Sequence, residues 1–166
     1  KMHANYTDAV SAVIDYATQR SEIIPERIGL IGRSLGGYYG PRAAALDHRI
    51  KALAVWGAFY DLSNYASIPA HTLEGFIYVT GSKNLDEALG YIHSINLEDV
   101  VSQIVCPMFI LHGGKDIITP PSNATRLAQG ASGLVEMSMW PESGHCNHDM
   151  AHFCRPAMAD FLKDHL

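Results

Sequence analysis

Apolar residues in this chain fall into short, nearly continuous runs, separated by stretches in which they recur every three to four positions. The runs are Ile28-Gly29-Leu30-Ile31, residues 49–57, Cys106-Pro107-Met108-Phe109-Ile110-Leu111-His112 and Leu134-Val135-Glu136-Met137-Ser138-Met139-Trp140. Each has strand length, and apolar character that does not alternate belongs to a strand covered on both faces. Helical patterns lie between them. Residues 5–17 place Val10, Val13, Ile14 and Ala17 at helical spacing. Residues 35–46 predict a second helix, with Pro41 an irregularity inside it, and 120–129 a third. A last helix over 148–162 has Met150, Phe153, Met158, Phe161 and Leu162 as its core face. Strands alternating with helices predict an α/β fold with a mostly parallel sheet.

The rhythm breaks between about 61 and 103, where Pro69, Gly75, Gly81 and Gly90 interrupt it and helical patches fall around 85–94 and 97–103. A long insertion after a strand is either a helical cap or lid over a site or an ordinary pair of surface helices. The chain contains no internal repeat, low-complexity run or charged tail.

With 166 residues, 48% of them hydrophobic, the chain has the size and the core of one domain. A net charge of -5 offers no basic face and argues against nucleic acid as partner. No apolar run approaches membrane-spanning length, and no basic-apolar-small signal opens the chain. Three cysteines cannot all pair with one another, so a reduced set and a cytoplasmic setting are expected.

Chemistry enters at Gly32-Arg33-Ser34-Leu35-Gly36, which joins the first apolar run to the second helix. The alternatives are a plain strand-helix turn and a G-x-S-x-G nucleophile elbow. In an elbow the serine sits on a strained turn, and glycines two residues away on either side avoid collision. Gly37 extends the permissive stretch and lets the helix approach the strand. A serine hydroxyl becomes nucleophilic only when a base takes its proton, so a histidine and an orienting carboxylate are required. Asp116 lies in the Gly113-Gly114-Lys115-Asp116 loop after the third run, and His145 in the Pro141-Glu142-Ser143-Gly144-His145 loop after the fourth. In a parallel sheet, loops leaving the C-terminal ends of strands share one edge with Ser34. Asp61 and Glu142 are alternatives to Asp116 as the acid. His112 is an alternative base, or a histidine packed beside the site.

The tail His145, Cys146, His148, Asp149, His152 and Cys154 contains metal-ligand residue types, with His148 and His152 four apart. No second, well-spaced ligand group accompanies them, so the tail reads as a catalytic loop running into a helix. Cys146 reads as a packing residue beside His145.

The segments GRSLGG, ILHGGKD and ESGHCNH, in the order Ser, Asp, His, resemble the α/β-hydrolase superfamily. The stretches 54–62, 99–104 and 145–148 resemble more closely the branch of 2,6-dihydroxypseudooxynicotine hydrolases and of fungal hydrolases that shorten aromatic polyketides. The resemblance extends over nearly all 166 residues. It implies a Ser34-His145-Asp116 triad, the Leu35 backbone N–H as oxyanion donor, no metal or organic cofactor, and a small-molecule substrate. It also implies cleavage of a carbon-carbon bond next to a ketone, a carboxylesterase being the alternative.

Such enzymes place several strands before the elbow, and one of the intervening loops supplies a second oxyanion amide. Here residues 1–27 alone precede the elbow strand. The expectation is therefore the C-terminal part of an α/β-hydrolase domain that lacks its N-terminal strands. An N-terminal segment of the same protein or a separate chain would complete the sheet, and a homo-oligomer is possible. A prolyl-oligopeptidase-type peptidase and a non-catalytic half-domain acting as an interaction module are the other readings.

Overall fold

A computed structural model describes residues 5–62 and 69–166. Strands β1 (Ile28–Arg33), β2 (Ile50–Trp56), β3 (Met108–Gly113) and β4 (Val135–Trp140) form one sheet in that order, each neighbouring pair parallel. Their C-terminal ends thus share one edge. The helices are α1 (Thr7–Thr18), α2 (Gly36–Leu46), α3 (Ala70–Thr80), α4 (Leu85–Ile92), α5 (Ser122–Gly130) and α6 (Ala151–His165).

Alternation along the two inner strands divides the core. Leu53, Val55, Met108 and Ile110 face a large apolar cluster with residues of α1, α2, α4 and α5. Ala54, Trp56 and Leu111 face the other way, against Cys146 and the α6 residues Cys154 and Met158. The outer strands are less covered than their apolar runs predict. Ile31 of β1 is 51% exposed and Met137 of β4 is 45% exposed, because an edge strand has a neighbour on one side only. Two expected core residues also point outward. Val13 on α1 is 66% exposed, and Phe153 on α6 is half-exposed, stacked on Trp140.

The irregularity at Pro41 is accommodated. Proline cannot donate to the carbonyl four residues earlier. That carbonyl, of Gly37, instead accepts a long hydrogen bond of 3.4 Å from the Phe59 N–H.

Between β2 and β3 the insertion forms α3 and α4, which pack on each other. Its feet are tied by an antiparallel bridge between Asp61 and Asn96, and by the Leu97 N–H donating to the Tyr60 carbonyl at 3.1 Å. Residues 63–68 of the expected cap lie outside the described residues. Glycine and proline between 69 and 81 do not prevent α3. Pro69 precedes its first turn, Gly75 has open space around it, and the left-handed Gly81 ends it. The expected helical patch at 97–103 shrinks to a single 3₁₀ turn, Val101–Gln103. The last helix begins at Ala151 rather than at 148, because left-handed backbone at Cys146 and Asn147 breaks the preceding turn. Among the described residues, no helix is long and apolar enough to cross a membrane.

Candidate active site

Ser34 terminates β1 with φ of 53°, a left-handed conformation that side-chain-bearing residues rarely adopt. Its backbone is held from both sides. The Ser34 N–H donates to the Trp56 carbonyl at 2.9 Å, and its own carbonyl accepts from the Gly37 N–H at 2.6 Å. A Cβ on Gly32 would lie 2.2 Å from the Gly36 carbonyl oxygen, and one on Gly37 would lie 2.3 Å from that of Gly57. Gly36 itself has nothing within 4 Å. The steric demand at the second glycine of the pentapeptide thus falls one residue later than the motif implies. The Leu35 N–H, just ahead of the first turn of α2, has no acceptor among the described residues and can receive an oxyanion.

From Ser34 a hydrogen-bonded line runs inward. Ser34 Oγ lies 2.8 Å from His145 Nε2, and His145 Nδ1 lies 2.8 Å from Asp116 Oδ2. In the neutral ring Nδ1–H donates to the carboxylate and Nε2 accepts from the serine hydroxyl, the direction in which a proton would leave the serine. Asp116 is 3% exposed yet fully solvated by protein donors. Its Oδ1 accepts from the Ile118 and Thr119 N–H groups, each at 2.9 Å, and its Oδ2 accepts from Thr119 Oγ1 at 2.9 Å. The loops of acid and base close upon each other at Gly113, where a Cβ would lie 2.1 Å from the Gly144 carbonyl oxygen. The Lys115 N–H donates across to the Ser143 carbonyl at 2.9 Å.

Burial raises the Asp116 pKa, but the hydrogen bond from His145, the Thr119 donors and the His145 charge outweigh it, so the net direction is down. Burial lowers the His145 pKa, but the bond to Asp116 and the Cys146 side chain more than offset it, and it is pushed up to about 9. The two form a coupled pair in which each charge holds the other.

The rival residues are placed elsewhere. Asp61 pairs with Arg126, whose guanidinium also stacks over Tyr60. Glu142 pairs with Lys115 at the exposed surface. His112 is fully buried beside the acid and does not contact Ser34. In the histidine-cysteine tail, Cys146 and Cys154 pack in the apolar cluster under α6, and His148 lies against Arg33. Among the described residues, no group of three or more such side chains could hold a metal ion.

Two contributors carry little signal in the sequence. Thr119 supplies two donors to Asp116, and the signal that could have found it is the Asp-x-x-Thr spacing just ahead of Pro120-Pro121. Asn123 is the other. Its Oδ1 accepts from the N–H groups of Tyr60 and Asp61 and fixes the chain leaving β2.

Comparison with known proteins identifies the family and the fold. The chain matches the prolyl oligopeptidase family over residues 1–166. It is 34% identical over 165 residues to 2,6-dihydropseudooxynicotine hydrolase of Paenarthrobacter nicotinovorans, covering 99% of this chain and 45% of that protein. The crystal structure of 2,6-dihydroxy-pseudo-oxynicotine hydrolase superposes with a TM-score of 0.95 at 34% identity, covering 100% of this chain and 48% of that one. The α/β hydrolase GrgF from Penicillium sp. sh18 shares the fold, with a TM-score of 0.74 at 16% identity over 99% of this chain and 73% of that one. The chain thus spans about half the length of the first two of these relatives. With a strained serine on a strand-helix turn, a parallel sheet and a family match along its whole length, the chain belongs to the prolyl oligopeptidase family and has an α/β-hydrolase fold.

Proposed function

We propose that this chain carries the catalytic residues of a serine hydrolase that cleaves a carbon-carbon bond next to a ketone in an aromatic or polyketide-like substrate. The observation that carries the reading is the unbroken line Ser34–His145–Asp116, starting from a serine in left-handed backbone. His145 takes the Ser34 proton as Oγ bonds to the substrate carbonyl, and the Leu35 N–H donates to the oxygen that becomes negative. The carbon-carbon bond then breaks, its electron pair moving onto the carbon stabilised by the neighbouring ketone. His145 returns its proton to that carbon. Water attacks the acyl-serine, His145 accepts its proton and hands it to Ser34 Oγ, and the carboxylic acid leaves. No metal or organic cofactor takes part.

The substrate class rests on the 34% identity to a hydrolase whose name specifies a pseudooxynicotine. A β-dicarbonyl or acylated aromatic ketone is expected to be cleaved with a higher kcat/KM than a p-nitrophenyl ester of similar size. Turnover of simple esters alone would make the protein a carboxylesterase. A fluorophosphonate probe is expected to label Ser34. A well-folded sample that resists labelling would favour a non-catalytic interaction module.

The base must be neutral to accept a proton, and a raised pKa keeps His145 charged until the pH passes it. kcat/KM is therefore expected to rise with pH along a limb set by His145, which lies near 9. Asp116→Asn removes the carboxylate that raises this pKa, so the limb moves to lower pH. A limb that stays in place in this variant would detach Asp116 from the base.

We also propose that α3 and α4 form a cap over the C-terminal edge of the sheet, since their feet leave β2 beside the site. The outer edge of β1 has no strand beside it among the described residues, and both Ile31 of that strand and Val13, which lines a hollow with Ile28, Gly29 and Leu30, are exposed. An N-terminal segment of the same protein, or a separate chain, adds strands there and brings the second oxyanion amide. Supplying it is expected to raise kcat by about 10²- to 10³-fold, the usual worth of one oxyanion donor. Full activity of these 166 residues as a monomer would overturn the idea, and assembly only with copies of itself would replace it with a homo-oligomer. Three buried cysteines without a disulfide support a cytoplasmic setting.

A further inference from the structure

His112 ends the apolar run of β3 and is completely buried. A buried imidazole must satisfy both ring nitrogens. The Ala58 N–H donates to Nδ1 at 3.0 Å, so Nδ1 carries no proton. Nε2 lies 2.8 Å from the Thr119 carbonyl oxygen, which can only accept, so Nε2 carries the proton. The ring is thereby fixed as one neutral tautomer. The charged groups facing it are Asp116, whose Oδ2 is 3.7 Å away, and His145 beyond it. Burial pushes the His112 pKa down against the pull of Asp116, in keeping with a neutral ring.

Both partners of this ring belong to groups that hold the proposed site. Ala58 lies two residues beyond Trp56, whose carbonyl anchors the Ser34 N–H. Thr119 gives Asp116 a backbone N–H and a hydroxyl, while its carbonyl faces His112. Displacement of Thr119 would carry its N–H and hydroxyl away from Asp116, and the hydrogen bond from His112 to its carbonyl opposes that displacement.

We propose that His112 is a positioning residue: its Nε2–H clamps the Thr119 peptide, and Thr119 holds the Asp116 carboxylate in the orientation that aligns His145 on Ser34. The proposal rests on the serine-hydrolase reading above. Its chemistry is that of a rigid neutral strut between the end of β2 and the acid loop, and His112 itself transfers no proton.

Two substitutions separate the ends of the strut. His112→Asn keeps an acceptor near the Ala58 N–H and is too short to reach Thr119. His112→Gln reaches Thr119 with an amide N–H and gives up the Ala58 contact. In the full-length protein, His112→Asn is expected to lower kcat about 10- to 100-fold per folded molecule, the scale of a small misplacement of catalytic groups. KM should stay within about twofold, and the acid limb of kcat/KM should move to lower pH as Asp116 loosens from His145. His112→Gln is expected to recover most of the loss. Combined with Thr119→Val, which deletes the hydroxyl donor to Asp116, His112→Asn should cost less than the product of the single effects, because both act on one carboxylate.

Equal kcat per folded molecule in all three single variants, or strictly multiplicative losses with an unmoved acid limb, would overturn the positioning role. Should His112→Asn fail to fold, His112→Met, which fills the space but donates nothing to Thr119, is compared with His112→Gln: a kcat at least about 10-fold lower in methionine at equal folded fraction supports the strut, and equal kcat overturns it. Ser34→Ala assayed in parallel keeps the two readings apart, since turnover surviving there defeats the serine-hydrolase reading and not the strut.

Discussion

Ser34→Ala is expected to abolish turnover while leaving the fold intact. Loss of a triad nucleophile costs several orders of magnitude, about 10⁴- to 10⁶-fold in kcat. Little stability should go with it, because the serine side chain makes one described hydrogen bond, to His145 Nε2. The bonds that shape the turn belong to the backbone, from Ser34 N–H to Trp56 and from Gly37 N–H to Ser34, and alanine keeps both. Alanine also keeps the Cβ, so the strain of φ at 53° remains. Ser34→Gly would release that strain, and a higher melting temperature for glycine than for alanine is the matching signature. Comparable kcat in Ser34→Ala and the parent protein, each judged folded by circular dichroism, would remove the nucleophile from this serine.

The three loop residues were legible for one physical reason. Ser34, Asp116 and His145 each follow an apolar run that ends in a glycine- or proline-bearing turn, and parallel strands deliver such turns to a common edge. Hydrophobic periodicity says that a run is a strand, but it does not say whether a neighbour lies on both sides. Ile31 and Met137 were therefore expected to be buried and are half-exposed on the outer strands. Helix α3 is not legible in the pattern because Gly75 reads as a breaker, although a helical glycine facing open space costs only about 1 kcal/mol. The delayed start of α6 depends on left-handed backbone at Cys146 and Asn147, which no apolar pattern encodes.

Groups that hold the site, as opposed to those that line it, were least legible. The Trp56 carbonyl and the Ala58 N–H are backbone atoms, available at every position and selected only by the fold. Thr119 left a local signal in its spacing from Asp116, but the bond from its carbonyl to His112 depends on where β3 places that ring.

Asp116→Asn and His145→Ala are expected to lower kcat by about 10³-fold or more, the histidine change at least as severely. Removing the imidazole leaves the Ser34 hydroxyl without an acceptor for its proton. In Asp116→Asn the loss comes from the tautomer. Asparagine can present an N–H to His145 Nδ1, which then holds the ring with its proton on Nε2, where it cannot accept from serine. With its carbonyl kept toward the Ile118 and Thr119 N–H groups, the asparagine turns its NH₂ toward His145 and Thr119 Oγ1, so the hydroxyl must reverse from donor to acceptor and the charge-assisted bonds of the carboxylate are lost. Some loss of stability is expected with it. The rival acids make the contrast. Glu142→Gln weakens an exposed pair with Lys115 and should leave kcat within about twofold. Asp61→Asn disturbs the Arg126 pair at the foot of the insertion and should cost less than Asp116→Asn. His112→Ala leaves the Ala58 N–H and the Thr119 carbonyl without their partner, so it should cost stability and a smaller part of kcat than either triad change. Asp61→Asn proving as damaging as Asp116→Asn, at equal folded fraction, would mean that the acid is shared or that it acts from the end of β2.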